Sequence, residues 1–96
     1  MTVSRKIVVH SVRGFSPEFA ACVADWIKSG VVFLGIVGKD AVRLEDLADE
    51  VAVGDGTTTP YFLLTTSHPG ESLADAVAFA DALTGEHAGP VQVVEF

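Results

Sequence analysis

The chain has 96 residues, of which 49% are apolar and 20% charged. That length suits a single α/β domain over residues 1–96 and excludes a second core. Thirteen Asp and Glu against six Lys and Arg leave a formal net charge of −7. Such a chain lacks the basic face that phosphate contacts require, so no nucleic-acid partner is expected, while a basic protein partner is permitted. Cys22 is the only cysteine, which rules out an internal disulfide and suits a reducing cytoplasm. The apolar stretch after Met1 is too short for a secretory leader, and the longest apolar run, Val31 to Val37, is far below the ~20 residues of a membrane span. No membrane partner is expected.

The elements follow in chain order. Lys6 to Val12, KIVVHSV, is rich in β-branched residues and predicts a first strand. Ser16 then suits a helix cap and Pro17 the first helical position. Phe19, Cys22, Val23, Trp26 and Ile27 recur at helical spacing and make one apolar stripe, with Trp26 in the core. Lys28 sits in the last turn, and Gly30 stops the helix. Val31 to Val37 is apolar almost throughout and predicts a strand covered on both faces. The second helix puts Leu44, Leu47, Ala48 and Val51 on one face and Glu45, Asp46, Asp49 and Glu50 on the other. Gly54-Asp55-Gly56 breaks it, and Thr57-Thr58-Thr59-Pro60 leads to a third strand over Tyr61 to Thr66. The GDGTT string also occurs in chaperonin ATP sites, where a long helix follows. Here Pro60 and a strand follow, so the string reads as a turn. Ser72 and Asp75 have the spacing of a capping box. Leu73, Ala76, Val77, Ala80 and Leu83, widened by Phe79, form the stripe of a third helix that Gly85 ends. Val91 to Phe96 alternates, with Gln92 and Glu95 polar, and suits an edge strand.

The order βαβαβαβ with right-handed crossovers predicts a three-layer α/β sandwich on a four-stranded, mostly parallel sheet. Strand order stays open. Order 2-1-3-4 is one solution, and a central second strand favours another.

In such a sheet the strand ends and the following helix starts share one edge, where ligands commonly bind. Ser11-Val12-Arg13-Gly14, Gly38-Lys39-Asp40 and Thr66-Ser67-His68-Pro69-Gly70 converge there. Arg13 and Lys39, with Arg43 just beyond, bring positive charge, and Thr66 and Ser67 bring hydroxyls. Together with His68, these residues compose a candidate site for a small anion such as phosphate or carboxylate. His68 is the candidate general acid or base, Asp40 the candidate group to orient it, and Ser67 a neighbouring hydroxyl. Adjacent strand residues face opposite ways, which argues against a Ser67–His68 nucleophile pair. No G-x-S-x-G, P-loop or G-x-G-x-x-G is present. His10 reads as a strand histidine of the core or its rim, and His87 as a solvated loop residue. The histidines lack metal-ligand spacing and Cys22 belongs to an apolar stripe, so no metal or cofactor is expected.

Several positions taken together carry a resemblance. They are Ser16-Pro17-Glu18, Ala24-Asp25-Trp26-Ile27, Ser29-Gly30, Gly38, Asp40, Thr65-Thr66-x-His68, Glu71, Leu73 and Phe79-Ala80. This pattern resembles a family of small uncharacterised bacterial proteins grouped as a domain of unknown function. The resemblance implies a bacterial origin and adds weight to His68, Asp40 and Trp26. It implies no activity.

The leading expectation is a non-catalytic binding or regulatory module, of immunity or accessory type, that meets a protein partner through Glu45, Asp46, Asp49 and Glu50. The alternative is a small-anion sensor or enzyme at the strand ends around His68. A homodimer through the Val91–Phe96 strand is a third option.

Overall fold

A computed structural model describes residues 5–54 and 63–96. Most of the predicted GDGTT turn and the predicted start of the third strand at Tyr61 lie outside the described residues. Strands β1 (Lys6–Ser11), β2 (Phe33–Gly38), β3 (Leu64–His68) and β4 (Val91–Glu95) alternate with helices α1 (Phe19–Lys28), α2 (Ala41–Val53) and α3 (Leu73–Asp81). A single 3₁₀ turn, Gly85–His87, precedes β4 and holds His87 half-buried rather than fully solvated.

All strand pairs are parallel, and the order is β3-β2-β1-β4. The apolar second strand is therefore internal, as its composition suggests, and the alternating last strand is an edge. Steps from β1 to β2 and from β2 to β3 run one way across the sheet, whereas β3 to β4 runs back. Right-handed crossovers then place α1 and α2 on one face and α3 on the other. Side-chain alternation matches this. Ile7, Val9, Leu34 and Ile36 pack with Phe19 and Val23 of α1 and with Ala41, Leu44 and Ala48 of α2. Val8, Phe33 and Val37 pack with Ala76 and Ala80 of α3.

The chain end extends the β1–β4 ladder. Phe96 N–H donates to the His10 carbonyl at 2.9 Å, and Val12 N–H donates to the Phe96 carbonyl at 2.8 Å. Trp26 lies at the rim of the core, half-buried and edge-on to Phe19 with ring centroids 5.8 Å apart. Lys6 is fully buried on the α3 face, and its Nζ donates to the Ala80 carbonyl at 2.6 Å. An ammonium there meets the negative end of α3.

Several boundaries differ from expectation: β1 ends at Ser11 rather than Val12, β2 runs Phe33–Gly38 rather than Val31–Val37, β4 ends at Glu95 rather than Phe96, and two further shifts bear on the site. Helix α1 begins at Phe19, after a turn in which the Ser16 carbonyl accepts from Phe19 N–H at 3.0 Å and the Ser16 hydroxyl from Glu18 N–H at 3.3 Å. Ser16 thus organises the turn that leads into the helix. Strand β3 runs to His68, whereas the sequence reading ended the strand at Thr66 and put Ser67 and His68 in a loop. The register Phe33↔Leu64 through Val37↔His68 draws the polar residues into the ladder with β2. Backbone pairing, which every residue except proline can make in full, outweighs the polar side chains there.

Candidate functional site

The loops at the strand ends are fixed by backbone geometry. Gly38 has φ +105, and a side chain on it would run into the Ser11 carbonyl oxygen. That close approach lets Lys39 N–H donate to the same carbonyl at 3.0 Å. Asp40 adopts a left-handed conformation, φ 54, at the N-cap of α2 without capping it. Its Oδ2 instead accepts from Phe15 N–H at 2.8 Å and stands 2.7 Å from where a Cβ on Gly14 would be. Asp40 therefore ties the β1–α1 loop to the start of α2.

The predicted anion-site residues have separate commitments. The Arg13 guanidinium donates to Glu18 at 3.0 Å and lies 4.2 Å from the centroid of Phe96. Lys39 is exposed. Asp40 does not orient His68, because its carboxylate holds Phe15. Ser67 and His68 face opposite sides of the sheet, as alternation requires.

His68 lies on the α3 face and is only 5% exposed. Its Nε2 is 2.8 Å from Thr66 Oγ1, its Nδ1 is 3.3 Å from Glu71 Oε2, and its ring meets Phe79 edge-on at 5.2 Å. The Glu71 carboxylate favours the proton on Nδ1, which leaves Nε2 to accept from the Thr66 hydroxyl. Gly35 opposite Thr66 keeps room for that hydroxyl, since a Cβ there would stand 3.3 Å from it. The result is a hydroxyl, an imidazole and a carboxylate in series, the order found in activated nucleophiles. Glu71 was not singled out as the partner of His68 in the sequence reading. The signal was its position three residues on, at the start of α3.

The acidic face of α2 divides in two. Glu45 and Asp49 turn toward β3, where Thr65 Oγ1 lies 2.9 Å from Glu45 Oε2 and 2.6 Å from Asp49 Oδ1. The single hydroxyl proton serves one carboxylate at a time. Asp46 and Glu50 turn the other way. With Phe15, Arg43 and Leu47 they line an open groove of about 210 Å³. The Arg43 guanidinium lies 4.1 Å from the centroid of Phe15. Among the described residues the ion pairs are Arg13–Glu18 and His68–Glu71, so Asp46 and Glu50 have no cationic partner there. Phe15 escaped the sequence reading because it belongs to no periodic stripe. Its signal was an aromatic residue directly after the loop glycine Gly14.

The described residues contain no group of three or more His, Cys, Asp or Glu placed to hold a metal ion, and no helix long and apolar enough to cross a membrane. A family model described as a domain of unknown function, DUF7684, matches residues 4–94, and the chain belongs to that family. No curated protein and no solved structure matches the chain.

Proposed function

We propose that this DUF7684 member is a non-catalytic binding module of immunity or accessory type in the bacterial cytoplasm, which docks a basic segment of a partner protein on the outer face of α2. One observation carries this reading. Asp46 and Glu50 stand unpaired by any cation among the described residues, beside the apolar surface of Phe15 and Leu47. A Lys or Arg side chain is built for such a groove, with its aliphatic stem on the apolar wall and its head on the carboxylates. The net charge of −7 would draw a basic partner in and speed encounter.

A calorimetric titration with acetyl-(Gly-Arg)3-amide tests this. Asp46→Lys/Glu50→Lys should abolish binding. Asp25→Lys/Asp81→Lys makes the same change in net charge away from the groove and should retain most of it. Equal losses in the two variants would reduce the effect to overall charge and remove the groove. Glu45 and Asp49 are poor choices for such a test, because their replacement would also cut the tie between α2 and β3.

The second reading, a small-anion sensor or enzyme around His68, draws on the Thr66–His68–Glu71 series. It expects phosphate or a small carboxylate to raise the unfolding temperature of the wild type and not of a folded His68→Gln variant. No rise with either anion would count against it.

A further inference from the structure

The groove already contains a cation of the chain's own. Arg43 lies over Phe15, yet none of its nitrogens is within 4.0 Å of a carboxylate among the described residues, although Asp46 is one turn away on the same helix. Its place on α2 is unfavourable for helix stability. Arg43 sits in the first turn, which holds no acidic residue, and a cation there opposes the helix dipole. The residue best placed to relieve this, Asp40, spends its carboxylate on Phe15 N–H instead. The local sequence therefore forgoes helix stabilisation and holds one aromatic face in position with a cation on it.

Resting on the groove reading above, we infer that Phe15 is a seat for an arginine side chain of the partner, and that Arg43 occupies this seat in the free protein and leaves it on binding. A planar guanidinium stacks on an aromatic face and also presents a fork of donors. Arg43 reaches the ring without meeting a carboxylate, whereas an incoming guanidinium, not tethered to α2, can shift across the ring toward Asp46 and Glu50 on the same groove. A compact ammonium gains less from the ring face. Asp40 is a positioning residue in this scheme, since it acts through Phe15. Arg43 is a competitor in cis, and its departure is part of every binding event.

The experiment compares acetyl-(Gly-Arg)3-amide binding to wild type, Arg43→Ala, Phe15→Leu and the double variant, with acetyl-(Gly-Lys)3-amide as the second probe. Phe15 and Arg43 are both exposed, so neither replacement should lower the unfolding temperature appreciably, and Arg43→Ala, which takes a cation out of the first turn of α2, should match or slightly exceed the wild type. Emptying the seat should tighten arginine-peptide binding about two- to fivefold, the scale of one exposed cation–π contact. The gain should vanish when Phe15 is Leu, and it should be smaller for the lysine peptide. If the wild type binds but Arg43→Ala binds no more tightly, or if the gain survives without Phe15, the seat is refuted and the groove reading stands. If neither wild type nor Arg43→Ala binds either peptide, the groove reading itself falls.

Discussion

Gly38 and Gly70 both hold a positive φ, +105 and +76, but only Gly38 is crowded as well. Gly70→Ala meets nothing within 4 Å and should cost about 1–2 kcal/mol for the left-handed backbone alone. Gly38→Ala must also displace the Ser11 carbonyl at the end of the β1–β2 ladder, and should cost about 3 kcal/mol or more. Urea unfolding curves compare the two, and equal losses would contradict the close approach. Lys6 separates stem from charge. Lys6→Met keeps the buried stem and removes the ammonium, so stability should stay within about 1–2 kcal/mol of wild type, since an apolar group of similar shape replaces a buried ion at little net cost. Lys6→Ala leaves a cavity and should lose about 2–5 kcal/mol. Equal losses in both would show instead that the bond to Ala80, not the stem, holds that corner.

The helices differ in how they begin, and the caps should differ in worth. Ser72 and Asp75 form a reciprocal box, with Asp75 N–H donating to the Ser72 hydroxyl at 3.1 Å and Ser72 N–H to Asp75 Oδ2 at 3.3 Å. Ser72→Ala should cost about 1 kcal/mol. Ser16→Ala should cost about half of that or less, because the Ser16 carbonyl still receives Phe19 N–H. Thermal unfolding of the two variants checks the order, and a larger loss at Ser16 would contradict it. The same elements show what the sequence made legible. Phe19, Val23, Leu44, Ala48, Ala76 and Ala80 all carry a helical period, and all are buried against the sheet. The third strand was legible only in part. Its expected run reaches Thr66. Ser67 and His68 give no apolar signal, yet parallel pairing with β2 makes them part of the strand. Periodicity reports side-chain burial and is silent where the backbone ladder decides. For the same reason His68 looked like a loop residue at an open edge, whereas it is a buried strand residue against Phe79.

On the scale of the whole molecule, the order β3-β2-β1-β4 separates two chemistries onto opposite faces of one sheet. The α2 face carries the groove of Phe15, Arg43, Asp46, Leu47 and Glu50, and the α3 face carries Thr66, His68 and Glu71. Neither grouping was readable from the chain. Strand order depends on the direction of each crossover, which no local segment encodes. The acidic helix face was readable as four residues, but its division between β3 and the groove depends on where β3 and the Phe15 loop come to lie. The separation of the faces makes the central claim directly testable. In a ¹⁵N-labelled sample titrated with acetyl-(Gly-Arg)3-amide, amide shift changes should concentrate at Phe15 and over residues 43–50, with Thr66, His68 and Glu71 unmoved. Changes centred on Thr66, His68 and Glu71, or none at Phe15 and residues 43–50, would contradict a docking groove on α2.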